Sequence, residues 1–198
     1  MQSLNHFIVR VSKTHNDTVT VAGGVEIYID PKWNPFDHRI CFGEIVSAPS
    51  RHYTGAVPGD VLFFHHHVTS SENLKAGDDL YMVMYDSSNG YQGHAIAYRR
   101  KADEQMCMLA DWVFMTPVPD DNKDEVTSTG IITELAIHNK PKRRAVIHTP
   151  SEELLSYGVK NGDIVGFDKN SDYKMTLDNG DVVYRMKAKD ISYVEVEE

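Results

Sequence analysis

Three consecutive histidines, His65-His66-His67, are the residues of this chain best suited to chemistry. Gly59, His65, His67, Glu72 and Gly77 are spaced so that two imidazoles and one carboxylate could meet on one cation. Such a set holds Fe, Mn, Zn or Ni and leaves positions open for substrate. His94 follows Gly93, but without the Pro and Gly spacing that a second ligand-bearing motif would carry. The plainer reading is a surface loop in which adjacent histidines point to different sides and pick up metal only adventitiously. Nucleophilic catalysis has no support, because Cys41 and Cys107 lie in no catalytic or CxxC signature. No glycine fingerprint opens a helix after a strand, and the chain has no room for a dinucleotide domain. The expectation is a protein that is not an enzyme, with no catalytic residue and no cofactor.

The elements that must carry these residues are repeated. Gly55 to Phe63 (GAVPGDVLF) returns as Gly158 to Phe167 (GVKNGDIVGF), and Ala97 to Glu104 (AYRRKADE) returns as Val183 to Asp190 (VYRMKAKD). A period near half the chain marks two copies of one unit of about 100 residues rather than a solenoid. The boundary falls between Ala110 and Asp111, giving domains 1-110 and 111-198 with no linker; Met106 to Leu109 is the expected closing strand of the first. The advance from Phe64 to Tyr98 is twice that from Phe167 to Tyr184, so the first copy is read as carrying an insertion that contains the histidines. The matching stretch of the second copy, Asp168 to Asp172, has no histidine. Gly59-Asp60 and Gly162-Asp163 need no function: Gly supplies an unusual backbone angle and Asp closes the turn with its side chain.

Most other segments read as short strands rich in β-branched and aromatic residues, among them 6–11, 19–21, 25–29, 43–46, 80–85, 112–115, 130–133, 145–148, 163–165 and 182–185. Only Ser151 to Leu155 offers a helical turn, with Ser151 as N-cap. The expected fold is all-β, a small barrel or sandwich in each half. No apolar run approaches the roughly 20 residues a membrane span needs, and residues 1–6 lack a secretion signal. With two unpaired cysteines the expected compartment is the cytoplasm. The net charge of −9 argues against nucleic acid, and the one basic cluster, 140–144, reads as a solvated loop.

The second copy resembles the chaperonin-10 family, the GroES-type co-chaperonins, along almost its whole length. Asp111 to Pro119 is similar to that family's opening strand, Thr127 to Glu134 to its mobile loop, and Gly158 to Phe167 to its Val-Lys-x-Gly-Asp-x-Val-x-Phe segment. Asp178 to Asp181 resembles its late hairpin, and Lys189 to Val194 its C-terminal Asp-Ile-x-x-Val strand. The first copy resembles the family more loosely, with Gly23 to Ile27 in the mobile-loop place and Glu26 interrupting the apolar run. Stretches 48–58 and 148–161 leave little room for the family's roof hairpin.

The resemblance implies two tandem GroES-like barrels, the first divergent. It implies a homo-oligomeric ring, a heptamer in the family pattern, that acts as a lid on a GroEL-type, ATP-dependent chaperonin around unfolded protein. The chaperonin-binding residues it implies are Gly130, Ile131, Ile132 and Thr133, with Gly24, Val25 and Ile27 in the first copy. Segment 120–130 is too poor in apolar area to order itself when free. Each isoleucine would contribute roughly 1.5–3 kcal/mol on full burial, against about 2–5 kcal/mol for ordering the segment. One loop binds weakly, and a ring of loops binds by avidity. On pattern alone, Gly130-Ile131-Ile132 is a loop feeding an ordinary strand whose isoleucines face the core. The alternative of another class is a cupin-like metal-binding barrel or enzyme, whose first metal motif His65, His67 and Glu72 approximate.

Overall fold

The computed structural model describes residues 2–21, 23–28, 30, 38–85, 93–118, 143–168 and 171–195. Fourteen strands form among these residues: β1 (Phe7–Arg10), β2 (Thr18–Val21), β3 (Val25–Tyr28), β4 (Phe42–Ser47), β5 (Val61–Phe64), β6 (Leu80–Val83), β7 (Ala95–Arg99), β8 (Met106–Met108), β9 (Trp112–Pro117), β10 (Arg144–Thr149), β11 (Ile164–Phe167), β12 (Tyr173–Thr176), β13 (Val182–Lys187) and β14 (Ile191–Val194). The protein is all-β. One short helix, α1 (Glu152–Ser156), starts where the Ser151 hydroxyl accepts the Leu154 N–H at 3.3 Å. The strand expected at 130–133 lies outside the described residues.

Two six-stranded antiparallel sheets carry the structure, in the orders β6-β1-β4-β5-β7-β8 and β12-β13-β9-β10-β11-β14, and β2 pairs with β3 in a separate two-stranded sheet. The two orders share a frame: β1, β4 and β5 take the places of β9, β10 and β11. In both frames the Gly-Asp turn is built in the same way. Gly59 and Gly162 sit at φ +95° and +93°, where a side chain would be strained. Their N–H groups donate to the carbonyls of Ile45 and Ile147, whose own N–H groups donate to the carbonyls of Asp60 and Asp163. Asp60 and Asp163 then accept the N–H of Val57 and Lys160 on a side-chain oxygen. Bulges also recur at matching places, between β1 and β4 as between β9 and β10, and between β5 and β7 as between β11 and β14.

This register corrects the second sequence echo. β7, with Tyr98, pairs with β5, whereas β13, with Tyr184, pairs with β9. The strand that flanks β1 as β13 flanks β9 is β6: Tyr81 lies opposite Val9 as Tyr184 lies opposite Met115. The resemblance of Ala97-Tyr98-Arg99 to Val183-Tyr184-Arg185 is local composition without shared position. It follows that the histidines are not an insertion. From Phe64 to Tyr81 the chain advances as far as from Phe167 to Tyr184. His65 and its neighbours replace β12, and the extra length of the first half falls instead between β6 and β7. Neither 48–58 nor 148–161 forms a hairpin; the second holds α1.

Each sheet has its own core, Phe7, Val9, Ile45, Leu62 and Phe64 in one, Val113, Met115, Ile147, Val165 and Met186 in the other. A third core joins them. Phe63, Ile96 and Ala97 pack against Phe114, Met175 and Val183, with the Phe63 and Phe114 rings edge to face at 6.3 Å. Side chains alternate along a strand, so Leu62 and Phe64 enter one core while Phe63 enters the shared one; Val113, Met115 and Phe114 do the same. Both strands are buried on two faces, which is why their sequences are unbroken apolar runs. An Arg99–Asp178 ion pair also crosses this seam.

Candidate functional site

Two regions contain the residues singled out by sequence. The first is the β2–β3 hairpin, which occupies the connection from β1 to β4, the place that residues 119–142 occupy between β9 and β10. Its turn uses Gly23 and Gly24 at φ +92° and +77°. Val25 opposes Val21, and Ile27 opposes Val19. All of β3 is exposed: Val25 by 59%, Ile27 by 48% and Tyr28 by 74%. Glu26 does not break the apolar face, because in a strand Val25 and Ile27 point to one side while Glu26 points to the other. A sequence reading that counted consecutive residues missed this. Gly130, Ile131, Ile132 and Thr133 lie outside the described residues.

The second region is the histidine segment. β5 ends at Phe64, and the His65 N–H still donates to the His94 carbonyl at 2.9 Å. The chain then leaves the sheet, with His67 in the right-handed helical region, and enters a 3₁₀ turn, Val68–Ser70, in which the Val68 N–H donates to the His65 carbonyl. That turn removes the alternation of a strand. Instead of pointing to different sides, the three imidazoles converge, with ring centres 4.2, 4.6 and 4.3 Å apart and one ligand atom from each within 4.8 Å of the others. Glu72 does not join them; it is exposed on the next 3₁₀ turn, Glu72–Leu74. The His94 ring centre is 6.1 Å from that of His65.

The cluster faces the second sheet. The Tyr173 ring stacks on His66 at 5.1 Å and 14°, and the Arg185 guanidinium lies over Tyr173 at 4.4 Å and over Trp112 at 5.0 Å. Arg39, Cys41, His66, Tyr173 and Lys174 line a cavity of about 210 Å³ beside it. Burial, then the charge of Arg185 and the other imidazoles, holds His65 down at about 3. Burial, His67 and Arg185 hold His66 down at about 4, and burial lowers His94. His65 and His66 are therefore neutral at pH 7 and keep a lone pair free of protons. Burial pushes the Cys41 thiol up to about 11, so it is protonated and a poor nucleophile. Tyr173 and Arg185 escaped the sequence reading, although a charged residue at a core-facing position between Val183 and Met186 was the available signal.

No protein-family model matches this chain, and no curated protein matches it. Among the described residues no helix is long and apolar enough to cross a membrane.

Proposed function

We propose that this chain is a co-chaperonin lid of the GroES type, which docks on a GroEL-type, ATP-dependent chaperonin and encloses unfolded protein without performing chemistry. The observation that carries this reading is positional. The connection from the first to the second core strand, β1 to β4, holds an exposed apolar hairpin with Val25 and Ile27 at its edge, and the matching connection, β9 to β10, contains Gly130, Ile131, Ile132 and Thr133. A strand whose side chains are all exposed, as those of β3 are, does little for stability, which leaves it available to a partner. Burying what remains exposed of Val25 and Ile27 is worth about 1 kcal/mol each. The hairpin is already formed, so less of that is spent on ordering.

Each sheet is read as a small GroES-like barrel, since the recurring bulges supply the local bend and twist that curl a sheet. The seam between the sheets supports a ring. It joins the β4, β5, β7 and β8 side of the first sheet to the β12, β13 and β9 side of the second, two different surfaces of one frame. A head-to-tail contact of this kind propagates to a closed ring or an open filament. Repeated between chains, it sets domains side by side. That favours one layer with an even number of domains over the seven double-layered chains of the family pattern.

Sedimentation of the chain with a GroEL-type chaperonin and ATP tests the reading. Nucleotide-dependent association is expected, and the Ile131→Ser/Ile132→Ser and Val25→Ser/Ile27→Ser variants should each lose most of it while keeping the circular dichroism of the parent. Unimpaired association of both variants would overturn the assignment of the docking residues, and a chain that is monomeric at micromolar concentration would remove the source of avidity.

A further inference from the structure

We propose that His65, His66 and His67 form a binding site for a single divalent transition-metal cation of the zinc, nickel or copper class, independent of chaperonin docking and of Glu72. Three observations carry it. The 3₁₀ turn at the end of β5 brings one nitrogen of each ring within 4.8 Å of the others, a convergence that an extended segment forbids. The segment is held from outside, the His65 backbone by its bond to the His94 carbonyl and the His66 ring by the stacked ring of Tyr173, so the arrangement does not depend on three freely rotating side chains. Among the described residues, the groups facing the cluster from neighbouring elements are His94, Tyr173, Arg39, Arg185 and the protonated Cys41, none of them an acid that would make the site a general sink for hard cations.

Imidazole nitrogen is a borderline donor that suits Zn, Cu and Ni better than Ca or Mg. Metal–nitrogen distances of about 2.0–2.1 Å require the rings to draw closer by small rotations. The exposed His67 has the freedom to do so. Metal binding through Nε2 of His65 moves its proton to Nδ1 and gives up one long hydrogen bond, that from the His67 N–H at 3.3 Å. The Arg185 guanidinium, seated over the Tyr173 and Trp112 faces, opposes the added charge and weakens binding. Three imidazoles leave room for a water on a tetrahedral ion.

The experiment is calorimetric titration of the untagged full chain with zinc chloride at pH 7, with cobalt(II) absorption as a spectroscopic counterpart. One equivalent should bind, with visible ligand-field bands for cobalt and a higher melting temperature in zinc. The His65→Ala/His67→Ala variant should abolish binding. Should that variant not fold, His67→Ala alone, at an exposed position, should weaken binding by at least about tenfold. Glu72→Ala should leave binding unchanged. Absence of saturable zinc binding, binding undiminished in the histidine variants, or binding lost in Glu72→Ala would each overturn the proposal. None of these outcomes bears on chaperonin association, so the two readings fail separately.

Discussion

The two halves share a frame and differ in what they hang on it. In the first, Phe63 of β5 lies opposite Ala97 of β7; in the second, Gly166 of β11 lies opposite Tyr193 of β14, at the same point of the ladder. The large and small partners have changed strands. Phe63 can therefore enter the shared core, whereas a side chain at Gly166 would collide with the Tyr193 ring. The same contrast appears in the connections: a hairpin or a long segment after the opening strand, histidines or β12 after the Gly-Asp strand. Backbone hydrogen bonds fix the frame, while the surfaces and connections carry the specialisation.

The seam is the most sensitive place to break this comparison. Phe114→Ala empties a fully buried aromatic position at the shared core and should cost about 3–5 kcal/mol. Because the core belongs to both sheets, denaturant unfolding of the parent should show one transition. Two transitions in the parent would mean that the halves are energetically separate.

Next comes the turn that both halves share. Asp60 is buried and accepts two backbone N–H groups, from Val57 and Lys101, each at 3.0 Å, whereas Asp163 accepts that of Lys160 at an exposed position. Asp60→Ala should cost about 2–4 kcal/mol and Asp163→Ala about 1 kcal/mol. Equal losses in chemical denaturation would show that the turn is worth the same in both halves and that burial does not set its energy.

The smallest effect at neutral pH is electrostatic. His65 and His66 are held at about 3 and about 4 in the folded protein, chiefly by burial, against about 6.5 in the unfolded chain. Between these values the unfolded chain binds protons that the folded chain refuses, so stability falls as pH drops from about 6.5 towards 4 and then 3. A His65→Asn/His66→Asn variant should have a flatter melting-temperature profile over that window. Identical profiles would show that the histidines are not buried as described.

Much of the frame was legible, because β-branched runs, Gly-Asp turns and a Ser N-cap act locally. The all-β class, most strand positions and α1 follow from them. What was not legible depended on pairing. Tyr98 and Tyr184 look alike in sequence, yet only the partner strand shows that Tyr81 is the counterpart of Tyr184. The shared core was written in the unbroken apolar runs Leu62-Phe63-Phe64 and Val113-Phe114-Met115, which alternate patterning of a one-faced sheet would not contain. At the candidate sites, the apolar face of Val25 and Ile27 was hidden by reading Glu26 in series. The histidine convergence was hidden because a turn, not a strand, carries it.

Electron microscopy of the chain mixed with a GroEL-type chaperonin and ATP tests the central claim most directly. The account predicts a cap over the end of the chaperonin cylinder, joined to it through the β1–β4 and β9–β10 connections and built from domains set side by side. Cylinders that stay uncapped at saturating chain, with the chain as separate particles, would contradict it.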